Sequence, residues 1–469
     1  MRVTVIGGGF AGLSAAIALQ ERRHQVTLLE RRGVLGGRAT SFPDAISGED
    51  VDNGTHLMIA GYDATLDLVR RAGASDLLAV QDHLRIDYRD ERGWTALDCP
   101  DLPAPWHLLA GLIPLRLPWR SRFDVVRFGL AARLGRVPRG LTLAEWFRRT
   151  GQSAPTRALL WDPLATAILN ETPDRAAAVL FREVFREAFL RRRDAARLVF
   201  LRAGYGRLHD RLGRYLEARG GVVHRRALVE SIEIEGGRAR AVHYVQRAEA
   251  REDIRRGARA VPQRIEADAV VAAVPWSALP ALVPEAVRLQ PPFSNAARLR
   301  GSPIVSIELW LDRVVLDRPM AGLRACEVEW VFDKGRLYGR AGAPQHLAFI
   351  VSAAVRAAPR PNAELAGAAE SALRRFFPSE MAQAVVLRSL VLREPDATFV
   401  CDPEAEELRP GPETGIAGLV LAGDWTATGL PATIEGAVRS GRTAAACVET
   451  LDTVARVEAG DAAATMEAR

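Results

Sequence analysis

Residues 2–20 read RVTVIGGGFAGLSAAIALQ. The first five residues are a short β-branched run of the kind found in buried parallel strands. The glycine-rich turn GGGFAG follows, and the remainder is an Ala/Leu-rich helical segment. A second apolar run, residues 25–29, ends on Glu30, 18 positions beyond Gly12. This order of strand, glycine turn, helix and acidic strand end predicts a βαβ unit that binds a dinucleotide.

Each part of this unit has a physical function. Gly7 permits a tight turn, Gly9 lets the backbone approach a pyrophosphate, and Gly12 lets the helix and strand pack closely. The N-terminus of the helix offers free N–H groups and a partial positive charge to the phosphates. Glu30 can accept hydrogen bonds from the ribose hydroxyls. The residues expected to contact the cofactor here are Gly7, Gly8, Gly9, Phe10, Ala11, Gly12 and Glu30.

The segment after Glu30, residues 31–38, reads RRGVLGGR. It resembles the amine oxidase and carotenoid desaturase superfamily of FAD enzymes, in which a glycine pair and an arginine lie along the FAD diphosphate. A plain NAD dehydrogenase has no use for this second loop, so the resemblance implies FAD. It assigns Arg31, Gly36, Gly37 and Arg38 to the cofactor site. The alternative interpretation of Arg38 is a surface salt bridge.

Length and composition indicate a soluble globular enzyme. A chain of 469 residues is too long for one core and favours two interleaved domains. The hydrophobic content of 48% and the charged content of 26% are ordinary for this class. Four scattered cysteines without CxxC spacing indicate reduced thiols, and eight scattered histidines predict no metal site. Because the first strand begins at residue 2, we expect no cleavable signal and a cytoplasmic protein.

The net charge of +6 does not indicate a nucleic-acid partner. Lys334 is the single lysine, so 62 of the 63 basic residues are arginines, and they are spread over the whole chain. Basic runs such as residues 191–193 lack the interleaved aromatic residues of a nucleic-acid surface. We therefore predict no binding of nucleic acid.

Residues 51–57 read VDNGTHL. They resemble the DNG-x-H stretch of one branch of the superfamily, the hydroxysqualene dehydroxylases of hopanoid synthesis, which usually carry glutamine at the position of Thr55. In related folds this segment runs below the flavin ring. The resemblance therefore places Thr55 and His56 at the cofactor and makes Asp52 and His56 candidates for catalysis. The structural alternative is that Asp52 and Asn53 are turn residues before a glycine.

Residues 102–115 contain no Asp, Glu, Lys or Arg. This run is shorter than the ~20 apolar residues of a bilayer span, so we predict no crossing of the membrane. Trp106 and Trp119, together with the arginines that follow, define a segment 102–122 suited to peripheral docking on anionic lipid headgroups at the inner face of the membrane. The alternative is a core helix or a lid of the substrate domain.

The resemblance implies an α/β fold in which a Rossmann-like FAD-binding domain with a parallel central sheet is interleaved with an α+β substrate domain. In the superfamily, the backbone at the position of Val229 contacts the adenine of FAD. The polar and charged composition of residues 247–264 predicts the tip of a hairpin. The expected boundaries are 1–60, 204–283 and 404–450 for the FAD-binding domain, 61–203 and 284–403 for the substrate domain, and 451–469 for a disordered tail.

The last motif spans residues 419–437, LVLAGDWTATGLPATIEGA. Gly423 and Asp424 follow a predicted buried strand. In relatives, the N–H of the glycine and the carboxylate of the aspartate face the ribityl-phosphate part of FAD. The next helix, expected to start near Ala432, directs its positive end at the flavin. The cofactor contacts implied for this helix are Ala432, Thr433 and Ile434.

The chemistry implied is that of enzymes acting on long polyisoprenes. Amine oxidases usually hold a lysine that orders a water at the flavin, whereas Lys334 stands in FDKGR, residues 332–336, which resembles a charged turn. Their C-terminal aromatic-cage tyrosine is also missing, because Leu430 and Pro431 occupy that region. The leading hypothesis is a hydroxysqualene dehydroxylase, in which hydride from reduced FAD replaces the hydroxyl of an allylic alcohol.

Two rival functions remain open at this point. The first is a carotenoid desaturase-type enzyme, which takes hydride from a polyene precursor into oxidised FAD. The second is a non-catalytic carrier of flavin or isoprenoid. The sequence contains no second dinucleotide motif in a βαβ context, so the dehydroxylase hypothesis needs an external electron donor.

Overall fold

The computed structural model describes residues 1–102, 106–247 and 260–467, with side chains described as far as Thr453. Two sequence predictions fall partly outside this range. Most of the predicted hairpin tip 247–264 and a short part of the apolar segment 102–122 lie outside the described residues.

A five-stranded parallel sheet forms the centre of one half of the molecule. Its first strand lies in the middle, and Val5 in that strand has no exposed surface. The order across the sheet is Val222–Arg225, Gln25–Glu30, Arg2–Ile6, Ala269–Ala272 and Leu419–Leu421. The sheet therefore collects strands from distant parts of the chain, as the predicted Rossmann-like fold requires.

Two helices pack against each other beside this sheet. The helix Phe10–Glu21 is the one predicted after the glycine turn, and the helix Ile434–Glu467 packs against it. The contact is close, since a Cβ atom built on Gly441 would lie 2.2 Å from the carbonyl oxygen of Ala11. The later helix also continues to Glu467, into the segment 451–469 predicted to be disordered. This segment is rich in alanine and glutamate, which favour helix formation, and it continues the helix instead of ending it.

Three smaller sheets complete the fold of the described residues. The chain changes from one sheet to another at Arg226, which adopts a left-handed conformation with φ of 60°. Val222–Arg225 before it joins the parallel sheet, and the antiparallel strands Ala227–Glu235, Arg238–Gln246 and Val261–Glu266 follow. The other short strands are Ser41–Pro43 with Asp50–Asp52, and Met58–Ile59 with Leu198–Leu201 and Leu78–Val80.

A seven-stranded sheet organises the other half of the molecule. One face packs on the helix Asn362–Phe376, with Ile307 and Phe349 in that core. Tyr88 and Trp330 lie in the core of the opposite face. The order is Val386–Phe399, Gly301–Leu311, Gln345–Val351, Trp330–Asp333, Met320–Leu323, Arg85–Asp90 and Gly93–Asp98. Both chain segments assigned to the substrate domain contribute strands.

Helices cover this half around an aromatic cluster. The Phe128 ring centroid lies 4.6 Å from those of Trp146 and Trp161. Thr142 caps the helix Leu143–Arg149 and forms a capping box with Glu145. The main helices of this half are Trp106–Gly111, Trp119–Leu134, Leu143–Arg149, Asp162–Leu169 and Ala178–Phe185, with π-helical turns at Arg157–Trp161 and Arg186–Leu190. The helices Asp63–Arg71 and Tyr205–Glu217 pack instead in the core around the parallel sheet.

The remaining helical segments are short. They are Ser75–Leu77, Ala154–Thr156, Leu279–Leu282, Glu285–Arg288, Phe293–Arg298, Lys334–Leu337, Pro378–Met381 and Pro403–Leu408. Within the described part of the chain, none of the helices combines the length and apolar character needed to span a bilayer.

Candidate active site

A cavity of about 490 Å³ opens at the carboxyl ends of the parallel strands. This is the edge at which open α/β sheets bind their ligands. The structure brings most of the predicted cofactor residues together in its wall. They are Gly7, Gly8, Gly9, Phe10, Ala11, Glu30, Arg31, Gly36, Gly37, Arg38, His56, Val229, Gly423, Asp424, Ala432, Thr433 and Ile434.

The two predicted glycine loops contact each other in this wall. The N–H of Gly36 donates to the carbonyl oxygen of Gly8 at 2.8 Å. A Cβ atom on Gly9 would have Gly37 Cα as its nearest neighbour, at 3.8 Å, so the backbone here is bare toward the cavity. Gly12 lies behind the wall, where a Cβ atom would come within 1.9 Å of the carbonyl oxygen of Gly7. Its function is the close packing of helix on strand.

The carboxylate of Glu30 is buried and held by backbone donors. The N–H groups of Gly8 and Arg32 each donate to one of its oxygens at 2.7 Å. A carboxylate has about four acceptor positions, so two remain for ligand hydroxyls. Because Glu30 also lines the cavity, its position suits the predicted contact with a ribose.

Arg38 and Asp424 form an ion pair in the cavity wall. The Arg38 side chain is 26% exposed and also donates to the carbonyl oxygen of Ala397 at 3.0 Å. The alternative of a surface salt bridge is therefore wrong. One detail of the C-terminal motif is also corrected: the N–H of Gly423 donates to Ser440 Oγ at 2.8 Å, so this amide already has a protein partner.

The C-terminal helix begins at Ile434, two residues after the predicted start. Thr433 caps it, because Thr433 Oγ1 accepts a hydrogen bond from the N–H of Gly436 at 3.0 Å. Thr433 and Ile434 line the cavity, so the positive end of the helix lies at its wall. An acid for a ribose, a bare glycine cradle and a helix N-terminus together fit FAD.

A second cavity of about 50 Å³ adjoins the first and shares Arg38, His56 and Glu394 with it. Thr55, predicted at the cofactor, lies here instead. Three polar atoms are buried without a protein partner in this wall: Thr55 Oγ1, His56 Nε2 and Ser306 Oγ. Buried polar atoms normally have hydrogen-bond partners, so this group is a candidate site for a polar part of the substrate.

His56 lies at the junction of the two cavities. The ring of Tyr205 meets the imidazole edge-to-face at 5.3 Å, and the Tyr205 hydroxyl donates to the carbonyl oxygen of His56 at 3.1 Å. Burial lowers the pKa of His56, and the nearby positive charges of Arg38 and Lys334 act in the same direction, while Asp52 opposes them. The net effect is a neutral imidazole at physiological pH.

Asp52 lies behind the segment that carries His56, and it is absent from the described walls of both cavities. Its carboxylate forms an ion pair with Lys334 and accepts hydrogen bonds from Ser41 Oγ at 2.6 Å and the Tyr338 hydroxyl at 2.8 Å. The N–H of Tyr205 also donates to it, at 3.2 Å.

This environment keeps Asp52 ionised. Burial acts to raise the pKa of Asp52, but the charge and hydrogen bond of Lys334 outweigh it, so the pKa lies below its ordinary value. A carboxylate that is ionised and engaged by these donors does not serve as a proton donor, which argues against this role for Asp52, one of the two catalytic candidates. The interpretation of Lys334 as part of a charged surface turn is wrong, because this residue is buried, with 2% of its surface exposed.

Glu394 and Ser306 are site residues that the sequence analysis missed. Glu394 lines both cavities and accepts a hydrogen bond from Asn53 Nδ2 at 2.9 Å. Ser306 is one of two serines in the mostly apolar strand Gly301–Leu311. In the sequence, Ser306 and Glu394 are each a polar residue within a strand. This observation indicates a site only once the neighbouring strands and loops are known.

A buried histidine with two carboxylates lies in the same sheet. His346 Nε2 is 2.9 Å from Glu308, and His346 Nδ1 is 3.1 Å from Glu49. The Trp310 ring stacks on the imidazole at 4.3 Å, and Arg340 lies 3.7 Å from Glu49. Burial acts to lower the pKa of His346, but the two carboxylates outweigh it and raise the pKa above its ordinary value of 6.5.

This raised pKa predicts a pH-dependent contribution to stability. Protonated His346 stabilises the folded state fully below the unfolded pKa, and the contribution is lost as pH rises through the folded-state pKa. The free energy of unfolding of the wild type should exceed that of His346→Gln by more at about pH 6 than at about pH 9. Urea unfolding at both pH values measures this difference, and an equal difference at the two values would contradict the prediction.

The fold is similar to those of several solved structures. The fold matches the structure of an oxidoreductase from Methanosarcina mazei with a TM-score of 0.73 and 20% identity, covering 94% of this chain and 99% of that one. Cyclohexylamine oxidase from Brevibacterium oxydans matches with a TM-score of 0.65 and 17% identity, over 96% and 99% of the two chains.

Two curated relatives align over almost the whole chain. Hydroxysqualene dehydroxylase of Rhodopseudomonas palustris is 31% identical over 94% of this chain and 97% of its own length. The 15-cis-phytoene desaturase of Synechococcus elongatus is 26% identical over the full length of both chains. Residues 10–449 match the family described as flavin containing amine oxidoreductase. The chain therefore belongs to this family, and it is an oxidoreductase whose cofactor is the predicted FAD.

Proposed function

We propose that this protein is a hydroxysqualene dehydroxylase, which converts the allylic alcohol hydroxysqualene to squalene. The observation that carries the proposal is the small second cavity, with unpaired buried groups on Thr55, His56 and Ser306. This cavity adjoins the cofactor cavity through shared residues, so a hydroxyl bound here lies next to the redox centre. Several curated relatives with the name hydroxysqualene dehydroxylase support the same choice.

The reaction balances as a substitution of hydroxide by hydride. The alcohol takes up a proton, its C–O bond breaks, water leaves, and the allylic cation formed accepts a hydride at the same carbon. When bound in its reduced form, the flavin supplies that hydride. The protein must then bind the hydroxyl, deliver a proton, stabilise the cation and exclude nucleophiles that would trap it.

The side chains at the junction can divide these tasks. Thr55 and Ser306 bind the substrate hydroxyl, because their oxygen atoms are otherwise buried without partners. His56 is neutral at rest, because burial lowers its pKa, so it acts as a relay: Nε2 takes up a proton from solvent and passes it to the substrate hydroxyl. Glu394 stabilises the developing positive charge from the wall shared by both cavities.

Two features favour this function over the rival chemistries. Lys334 is held by Asp52 and is absent from the described cavity walls, so it does not supply the lysine that amine oxidases use. A desaturase of the phytoene type acts on a hydrocarbon, which would leave the unpaired groups without a partner. An allylic alcohol satisfies them.

The proposal is tested under anaerobic conditions with protein loaded with reduced FAD. Mixing with hydroxysqualene is expected to give squalene together with oxidation of the flavin, followed by absorbance. In a parallel reaction, oxidised protein is mixed with phytoene. Flavin reduction by phytoene and no squalene from hydroxysqualene would favour the desaturase, and no response to either lipid would favour a carrier.

Glu394→Gln is expected to lower the turnover of hydroxysqualene by about 100-fold while leaving the flavin bound, because one charge is removed from the reacting carbon's surroundings. The matched control is Glu380→Gln, which changes an exposed glutamate far from both cavities. Single-turnover kinetics and flavin content are measured for both. Equal rates for Glu394→Gln and the wild type would remove Glu394 from the proposed mechanism.

The proposed function also defines the partners. The substrate is an oily isoprenoid that resides in membranes, so we propose peripheral contact with a bilayer by the segment 102–122. The electrons come from an external donor, since the chain shows one dinucleotide motif in its βαβ context. The site of action proposed is the cytoplasmic face of the membrane.

A further inference from the structure

The helix Trp119–Leu134 exposes a row of large apolar side chains. Trp119, Phe123, Val126, Leu130 and Leu134, here called the apolar stripe, are 65%, 67%, 39%, 55% and 77% exposed. At about 100° per residue these five positions fall within an arc of about 80° on one side of the helix. Trp106 and Ile113, just before this helix in the chain, are also more than half exposed.

The opposite side of the same helix is core. Ser121, Val125, Phe128 and Ala132 are buried, and Phe128 belongs to the aromatic cluster with Trp146 and Trp161. The helix is therefore apolar on two opposite sides, one packed and one facing outward. A soluble monomer has no structural need for the outer side, and a contiguous exposed apolar surface of this kind indicates a binding surface.

Arginines border the apolar stripe on both sides. On a helical projection Arg120 follows one edge, and Arg122 and Arg133 follow the other. Arg127 lies beside Arg120, but its guanidinium is bonded to the carbonyl oxygen of Thr150 and to Asp124. The Arg120 guanidinium lies 5.2 Å from the Trp119 ring centroid. Long basic side chains in these positions can reach headgroups while the apolar residues enter the acyl region.

The charge of the surrounding segment is strongly positive. Residues 106–141 contain seven arginines, no lysine and a single acidic residue, Asp124. This surplus of six equals the net charge of the whole chain. Asp124 forms an ion pair with Arg127 at 3.1 Å and also accepts hydrogen bonds from Ser153 and Thr156, so it does not pair with Arg120, Arg122 or Arg133 at the edges of the stripe.

We infer that the apolar stripe and its arginines dock the protein on an anionic lipid bilayer, with the helix lying in the plane of the membrane surface. A second copy of the chain is a poorer occupant, because pairing two stripes would bring their arginines together, whereas anionic headgroups neutralise them. The inference extends the contact predicted at 102–122 to Leu134. The inference rests on the proposed function in one respect: a lipid substrate would reach the protein from this membrane.

The test measures binding of the full-length flavin-loaded protein to vesicles without substrate. Phosphatidylcholine vesicles with about 30% phosphatidylglycerol are compared with phosphatidylcholine alone, at low salt and at about 0.5 M NaCl. We expect co-sedimentation with the anionic vesicles, weakened by salt. The triple variant Trp119→Ser, Phe123→Ser, Leu130→Ser is expected to lose at least about tenfold in partition, because three exposed apolar groups no longer enter the bilayer.

The matched control removes three equally exposed apolar residues elsewhere, Leu289→Ser, Val355→Ser and Leu387→Ser. This variant should bind vesicles like the wild type, and flavin content and thermal unfolding check that both variants fold. A charge variant, Arg120→Gln with Arg122→Gln and Arg133→Gln, should lose the preference for anionic vesicles.

Several outcomes would overturn the inference. They are equal binding by the stripe variant and the wild type, no vesicle binding by the wild type, or a concentration-dependent dimer that the stripe variant abolishes without any lipid binding. Failure of the proposed reaction is distinguishable, because turnover is assayed separately with detergent-solubilised hydroxysqualene. Protein that binds vesicles but forms no squalene leaves the docking surface intact and removes the dehydroxylase function.

Discussion

Lys334→Met is expected to lower the free energy of unfolding by about 3–5 kcal/mol. Removal of the ammonium group leaves the Asp52 carboxylate, which is 3% exposed, without its counter-charge. The hydrogen bonds of Ser41, Tyr338 and the Tyr205 backbone remain, but they do not replace the missing charge. Urea unfolding of the flavin-loaded variant and wild type measures the loss.

The double variant Lys334→Met, Asp52→Asn provides the decisive comparison. Asparagine keeps the shape of the carboxylate and removes its charge, so the double variant should recover much of the stability lost in Lys334→Met. Arg264→Met is the control, since its pair with Glu233 is 44% exposed at the arginine and should contribute far less. If the double variant were no more stable than Lys334→Met, the uncompensated charge would not be the cause of the loss.

Gly9→Val is expected to fold normally and to bind FAD about 100-fold more weakly, which corresponds to about 2.7 kcal/mol. The backbone at Gly9 has φ of −80°, which valine tolerates, and the nearest neighbour of its Cβ would be 3.8 Å away. The added carbons instead fill the cradle in which the diphosphate is expected to lie. Flavin titration by fluorescence quenching gives the affinity, and thermal unfolding without flavin confirms the fold.

Two glycine variants serve as controls for this result. Gly12→Val should fail to fold, because a Cβ atom there lies 1.9 Å from the carbonyl oxygen of Gly7. Gly367→Val, at an exposed helical position with open space around it, should leave flavin affinity unchanged. Purification of Gly9→Val with the flavin content of the wild type would mean that this turn does not carry the cofactor.

The cofactor half of the molecule was predictable because its signals are local. A tight turn, a bare backbone and an acidic strand end lie within thirty residues, and physical constraints restrict them to glycine and to carboxylate side chains. Helix boundaries with explicit caps were predictable for the same reason. The four residues from Thr142 to Glu145 form a capping box, and the helix Asp63–Arg71 ends before Gly73, which adopts a left-handed φ of 64°.

The substrate side could not be predicted to the same depth, because its contacts join distant residues. Lys334 and Asp52 are 282 positions apart, and neither flanking sequence indicates the other. Ser306 and Glu394 become neighbours of His56 only through the order of the seven-stranded sheet. A threonine followed by proline is a common helix start, yet after Thr172–Pro173 the helix begins only at Ala178, since residues 172–176 form a turn held by the carbonyl oxygen of Thr172.

The interleaved strand order bears on how the protein folds. The parallel sheet pairs Arg2–Ile6 with Ala269–Ala272, and Leu419–Leu421 completes its edge. Gly423 to Ile434 follow that last strand and form part of the cofactor wall. The local pair of Arg2–Ile6 with Gln25–Glu30 can form early, but the complete cofactor wall requires pairings between segments that are hundreds of residues apart. Such non-local pairing slows folding, so flavin is expected to bind late, after the distant segments have docked.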